Sequence, residues 1–254
     1  MPLPHAHALV TGASSGIGAA LARRLSAEGV ARLTLVARRR DRLEALAGEL
    51  PGATVVVADL ATDEGVERTV AALDGVDLLV NNAGFGQYGA FAEADPARLE
   101  AMLRLNCLTP LRLTRAALPA MIAKGRGAVV NISSGMALQP APYLATYAAS
   151  KTFTLYWSEA LHEELGGQGV QVLAVCPGVT PTEFDQVAEV PMDRLWVTRL
   201  MRSSVDQVVD DTIDGLRGGR ATVISGLSHG LLQSMGALSP RWVKRSLFAA
   251  FLRP

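Results

Sequence analysis

Short apolar runs alternate along this chain with longer amphipathic stretches, and brief polar, Gly or Pro breaks separate them. Residues 6–10, 33–37, 54–58, 76–80, 128–132, 170–175 and 221–224 read as strands. Between them, residues 15–28, 39–50, 62–73 and 143–165 read as helices, and a further long helical region runs from Pro96 to the glycines at 125–127. Pro51-Gly52 ends the second helix, because proline cannot donate the next helical hydrogen bond. The strands are continuous Val, Ile, Leu and Ala runs rather than alternating ones, which predicts a sheet covered by helices on both faces. The pattern as a whole predicts a single α/β domain over residues 1–254: a doubly wound parallel sheet of about seven strands.

Composition narrows the partners more than the fold. At 254 residues, 49% hydrophobic and 19% charged, the chain can bury a large core and is no candidate for disorder. Lys plus Arg balance Asp plus Glu at 24 each, so no global field draws it to nucleic acid. Cys107 and Cys176 lack ligand spacing and read as free thiols of a reducing compartment. The four histidines also lack ligand spacing, so no metal is expected. The first residues show no secretory pattern and no run suits a spanning helix, which makes a soluble cytoplasmic protein the expectation.

The first chemical signal joins the first strand to the first helix: Thr11-Gly12-Ala13-Ser14-Ser15-Gly16-Ile17-Gly18. At a helix N-terminus, free N–H groups and the positive end of the helix dipole face whatever sits in the turn. Glycines permit positive φ and let a pyrophosphate approach without meeting a Cβ. A dinucleotide with an unphosphorylated adenosine ribose calls for a carboxylate at the end of the second strand. That strand ends instead at Ala37, followed by Arg38-Arg39-Arg40. Guanidinium forks suit a phosphate dianion, so NADP(H) is expected over NAD(H).

The second signal is Tyr147-Ala148-Ala149-Ser150-Lys151. Four residues along a helix put Tyr147 and Lys151 on one face, about 6 Å apart along the axis. A phenol titrates near 10 unaided, and a neighbouring ammonium stabilises its phenolate. Such a tyrosine serves as general acid toward a forming alkoxide or as general base toward an alcohol. Read alone, the pair is an ordinary helix-surface feature.

In order, the Thr11–Gly18 turn, Asn81-Asn82-Ala83-Gly84, Ser134, Tyr-x3-Lys and Pro177-Gly178 together resemble the short-chain dehydrogenase/reductase family over essentially the whole chain. The resemblance implies a Rossmann-type fold and an oxidoreductase acting on a carbonyl or alcohol. It implies Tyr147 as acid/base and Lys151 as the group that binds the nicotinamide ribose and eases the tyrosine's proton. Ser134 is implied to hydrogen-bond the substrate oxygen, in preference to Ser133, and Asn106 to hold a water behind the lysine. Cofactor contacts implied in the turn are Gly12, Ser14, Ser15, Gly16, Ile17 and Gly18. Arg38, with help from Ser14 and Arg39, would hold the 2′-phosphate. Asp59 and Leu60 would meet the adenine, while Asn81, Ala83 and Gly84 would line its ribose and brace the central strands. Pro177, Gly178, Thr180 and Thr182 would clamp the carboxamide. Where some NADP-using members carry a basic residue in the turn, this chain has Ser15.

Substrate identity is expected in three segments: residues 85–89, 135–143 and an apolar lid over 183–204 containing Met192, Leu195, Trp196, Leu200 and Met201. No basic cluster there asks for an anionic substrate, which favours an apolar ketone, aldehyde or secondary alcohol. Residues 240–254 are cationic, with Val243, Leu247 and Phe251 on one helical face, broadened by Trp242, Phe248 and Leu252. Docking on a sister subunit or on the chain's own substrate cleft is preferred there to lying on a membrane surface. The family resemblance implies a homodimer or homotetramer joined through the helices over 96–124 and 143–165. Non-redox chemistry on the same scaffold, as in an epimerase or dehydratase, and a non-enzymatic NADP sensor stand as alternatives. The intact set of Asn106, Ser134, Tyr147 and Lys151 argues against a sensor, which needs no proton donor.

Overall fold

A computed structural model describes residues 3–184, 188, 203–226 and 241–252. Seven strands form one parallel sheet: β1 (His7–Thr11), β2 (Arg32–Ala37), β3 (Ala53–Val57), β4 (Leu78–Asn81), β5 (Gly127–Ile132), β6 (Val170–Cys176) and β7 (Thr222–Ile224). Their order is β3-β2-β1-β4-β5-β6-β7, so chain order reverses between β1 and β4. On one face lie α1 (Gly16–Ala27), α2 (Arg40–Glu49) and α7 (Val205–Arg217); on the other, α3 (Asp63–Ala71), α5 (Thr109–Ala123) and α6 (Ala145–Gly166). Side chains alternate between these two layers. Ala8 and Val10 of β1 pack with Leu21 and Leu25 of α1, whereas Leu9 packs with Leu113 and Met121 of α5. Both faces are therefore apolar, which is why the strands read as unbroken apolar runs.

Two elements depart from the sequence reading. Helix α7 was not anticipated, although Val208, Val209, Thr212, Ile213 and Leu216 bury one helical face and Ser204 caps it by accepting the Gln207 N–H at 3.0 Å. The long helical region from Pro96 is divided into α4 (Pro96–Leu103), a π-helical turn (Arg104–Leu108) and α5. Pro110 accounts for the interruption. It has no N–H to give the carbonyl of Asn106 four residues back. That carbonyl accepts from the Thr154 hydroxyl of α6 instead, at 3.4 Å.

At the N-terminal ends of the strands, Asp77 clips the sheet together. Its buried carboxylate accepts the N–H groups of Ala6 and His7 at 2.9–3.0 Å and faces Arg126 at 3.3 Å. His5 and His7 are buried beside it. Desolvation holds both imidazoles below 6.5, Arg126 and Arg32 respectively adding to it and Asp77 opposing. The unfolded chain binds the protons these histidines refuse, so their contribution is complete above about pH 6.5 and is lost as pH falls through the depressed folded values. The urea midpoint is therefore expected to fall between pH 7 and pH 5, and His5→Gln/His7→Gln to flatten that fall. An unchanged slope in the double variant would remove the histidines from the account.

Among the described residues no helix is long and apolar enough to cross a membrane. Helix α8 (Arg241–Leu252) packs Phe248 and Leu252 onto Met102, Leu144 and Tyr147. The side chains of Trp242, Val243, Leu247 and Phe251, and the lid positions Met192, Leu195, Trp196, Leu200 and Met201, lie outside the described residues.

Candidate active site

A cleft of about 650 Å³ opens at the C-terminal ends of the strands, over the point where strand order reverses. Such a switch point is where the loops of an open α/β sheet part to leave a crevice. Its floor is built by the glycine turn. Thr11 fixes that turn to β4: its hydroxyl donates to Val80 O at 3.1 Å and accepts the N–H groups of Asn82 and Ala83 at 2.9 and 3.0 Å. Asn82 Nδ2 returns a bond to Thr11 O at 2.9 Å. Gly12 has φ +66, and a Cβ on it would stand 2.7 Å from Asn82 Nδ2. A Cβ on Gly16 would press on Thr182 at 3.2 Å. At Gly12 and Gly16 the turn thus leaves no room for a side chain, which suits a group that approaches the backbone closely.

Gly12, Ser14, Ser15, Gly16 and Ile17 line this cleft, as do Arg38, Arg39, Asp59, Leu60, Ala83 and Gly84. Pro177, Gly178, Thr180 and Thr182 line it from the side of β6. Two of the expected cofactor residues sit elsewhere. Gly18 faces the turn's own backbone, where a Cβ would overlap Gly12 O. Asn81 is buried, its amide donating to Asn131 Oδ1 at 2.8 Å and Thr114 Oγ1 at 3.2 Å. Asn81 thereby ties β4 to β5, and its neighbour Asn82 occupies the cleft wall. The two arginines of the lining differ in their contacts. Arg38 is largely exposed, 4.0 Å from Asp59. Arg39 is the one seated on the turn, donating to Ser14 Oγ at 2.9 Å and Ser15 Oγ at 2.8 Å.

The opposite end holds Ser134, Tyr147 and Lys151. Lys151 is buried and donates from Nζ to Ile132 O at 2.8 Å; its Nζ stands 6.0 Å from the Tyr147 ring centroid. Burial brings its ammonium down to about 8, so it remains largely cationic at neutral pH. Tyr147 is buried, its ring packed on Phe184 at 5.3 Å. The serines separate cleanly: Ser133 donates to Lys151 O at 2.7 Å, whereas Ser134 Oγ accepts the Met136 N–H at 3.1 Å and retains its own proton to donate. Asn106 sits in the π-helical turn behind Phe85, exchanging bonds with the Phe85 backbone at 3.2 and 3.0 Å and donating to Ser150 Oγ at 3.0 Å. A Cβ on Gly84 would touch both Asn106 Oδ1 (2.9 Å) and Lys151 Nζ (3.3 Å). That glycine keeps the space between amide and ammonium free. Burial pushes the Cys176 thiol up to about 12 and raises Cys107 as well, so neither acts as a nucleophile at neutral pH.

All three expected substrate segments reach the cleft, through Phe85, Met136 and Phe184. Sequence reasoning missed Arg98, which comes from α4 and stacks 5.9 Å over Phe85. It also missed Glu183, which binds Arg39 at 2.6 Å and pairs with Arg42. Leu252 closes the wall, its carbonyl accepting the Tyr88 hydroxyl at 2.7 Å.

A buried Tyr–Lys pair beside the Ser134 hydroxyl, at one end of the crevice, can pass a proton to or from an oxygen of a bound molecule. The family model for short chain dehydrogenase matches residues 6–191. The chain is 31% identical over 215 residues to the very-long-chain 3-oxoacyl-CoA reductase of Anas platyrhynchos, covering 80% of this chain and 69% of that protein. Its fold matches a short-chain dehydrogenase from Sphingobium yanoikuyae in complex with NADPH, with TM-score 0.81 and 31% identity over 95% of this chain and 97% of that one. It also matches the bulky-bulky ketone specific alcohol dehydrogenase of Comamonas testosteroni, with TM-score 0.76 and 31% identity over 91% and 92% of the two chains. The protein belongs to the short-chain dehydrogenase family of oxidoreductases.

Proposed function

We propose that this protein is an NADPH-dependent carbonyl reductase acting on apolar ketones or aldehydes. One observation carries the reading: a continuous cleft joins the cationic edge at Arg38 and Arg39 to Ser134, Tyr147 and Lys151. The arginines and the turn's N–H groups would hold the phosphates; Asp59 and Leu60 would flank the adenine; Thr180 and Thr182 would fix the carboxamide. Bound there, the nicotinamide supplies the hydride. Ser134 donates a hydrogen bond to the carbonyl oxygen, and Tyr147 delivers the proton as the alkoxide forms. Lys151 stabilises the phenolate that remains, and Asn106 lies where a relay toward the lysine would start. The relatives named for NADPH and for bulky ketones support both halves of this reading. A second reading, reduction of a 3-oxoacyl thioester, is favoured by Arg98 in the substrate wall and by the oxoacyl-CoA relative. Exposed Leu103, Leu108, Leu111, Phe153 and Tyr156 support self-association into a dimer or tetramer, and the free cysteines suit the cytoplasm.

The test is NADPH and NADH oxidation across ketones and aldehydes of rising bulk, diketones and acyl thioesters. Failure with every carbonyl, or equal use of the two cofactors, would overturn the proposal. Within that screen Leu252→Ala is expected to raise kcat/KM for the bulkiest ketones about tenfold relative to small ones, because it hollows the wall beside Tyr147. An unchanged ratio would take α8 out of substrate selection.

A further inference from the structure

The 2′-phosphate reading leaves the carboxylate of Glu183, in the cleft lining, without a role. It follows directly on Thr182, whose side chain lies over Gly16, so it is carried to the adenosine end by the same strap that crosses the turn. There it accepts from Arg39 Nη1 at 2.6 Å and from Arg42, one helical turn further along α2. The remaining face of the Arg39 fork is occupied too: Nη2 reaches Ser14 and Ser15, and Nε reaches Ser14 at 3.2 Å. A guanidinium offers five N–H donors in one plane and recognises phosphate by presenting two of them together. In this structure each edge of that plane already has an oxygen on it.

We propose that Glu183 sets how strongly this cleft selects a 2′-phosphorylated dinucleotide, by competing with the 2′-phosphate for the Arg39 guanidinium. The proposal rests on the NADP(H) reading above. A phosphate arriving beside Ser14 meets an arginine whose outer edge is held by a carboxylate of its own sign. Binding therefore displaces Glu183 toward Arg42 or tolerates its repulsion, and either lowers the advantage the phosphate confers. A dinucleotide without that phosphate makes no claim on Arg39 and is unaffected. Arg42 keeps the carboxylate poised: the two guanidiniums hold Glu183 ionised, at about 2, so the competing charge is present throughout the physiological range. Both partners of the Arg39–Glu183 pair are about 40% exposed, which confines the effect to that of a partly solvated ion pair.

Binding of adenosine 2′,5′-bisphosphate and adenosine 5′-monophosphate, measured by calorimetry on the full chain, separates the phosphate's contribution from catalysis. Glu183→Gln should tighten the bisphosphate about fivefold and leave the monophosphate within twofold. Arg39→Ala should weaken the bisphosphate, and adding Glu183→Gln to it should give no further gain, because the competition needs the arginine. An unchanged or weakened bisphosphate in Glu183→Gln would overturn the proposal. So would the same gain in the Arg39→Ala background, which would mean that Glu183 acts through its field alone. If the unaltered protein binds both probes equally and Arg39→Ala changes neither, the 2′-phosphate reading itself fails. If it prefers the bisphosphate through Arg39 while Glu183→Gln has no effect, only the role of Glu183 falls.

Discussion

Tyr147→Phe is expected to cut turnover by roughly 10²–10⁴-fold while leaving dinucleotide affinity within a few-fold, since this is the usual contribution of a positioned acid. The substitution removes one oxygen and nothing else. The ring would keep its place against Phe184 and in the cluster with Met102 and Leu144, so neither the cleft wall nor α6 needs to move. Lys151 keeps its bond to Ile132 O, and Ser133 keeps its bond to Lys151 O. What vanishes is the only phenol of the cleft lining. Steady-state kinetics with a fluorescence titration of NADPH separates the two effects. Retention of more than about a tenth of the turnover would overturn the assignment of the proton to Tyr147. Loss of cofactor affinity in parallel with turnover would mean that the hydroxyl acts in binding rather than in chemistry.

The sheet was legible because burial on both faces leaves a local mark: Leu78, Leu79 and Val80 of β4 put apolar side chains on both faces. The glycine turn and the Tyr–Lys pair were legible because each lies within a few consecutive residues. What escaped was mostly non-local. Arg98 reaches the cleft only because α4 packs against the end of α6, and nothing near it in the chain announces it, whereas the apolar face that carries Leu252 did mark the chain's own cleft as one docking place. Glu183 meets Arg39 across 144 positions of sequence. Asn81 and Asn82 are adjacent and identical in type; which of them faces the cleft depends on the pleat where β4 ends, and a shift of one residue exchanges their faces. Two features had readable signals that went unread. Helix α7 carries a strong amphipathic pattern between Ser204 and Gly218, and Pro110 marks a carbonyl at Asn106 that no α-helical donor can reach. The π-helical turn that results falls at Asn106, the residue whose amide faces the space beside Lys151. Such turns often occur at functional sites, and here the proline supplies the cause.

Gly18→Ala and Gly48→Ala are the same change in two helices, and opposite outcomes are expected. By propensity alone alanine should improve both, by about 0.5–1 kcal/mol, through the lower entropy of its unfolded chain. Gly48, on α2, has nothing within 4 Å of an added Cβ, so that gain should appear in full as a higher urea midpoint with unchanged kinetics. Gly18 lies in the first turn of α1, where the new Cβ would overlap the carbonyl oxygen of Gly12 and stand 2.5 Å from Asn82 Nδ2. Neither neighbour can give way. Gly12 is held in its left-handed conformation by the turn, and the Asn82 amide is bonded to Thr11 O. The helix must then shift away from β1, at the usual overpacking cost of about 1–3 kcal/mol, which outweighs the propensity gain. That shift carries the N–H groups of the first turn away from the cradle that Thr11 and Asn82 fix. A misplacement on the order of 1 Å in such a binding element lowers kcat/KM by roughly 10²-fold. Chemical denaturation and NADPH-dependent kinetics on the two variants check both signs. A Gly18→Ala protein as stable and as active as the unaltered one would mean that the α1–β1 approach is looser than these distances require, and that the turn does not position the dinucleotide through its glycines.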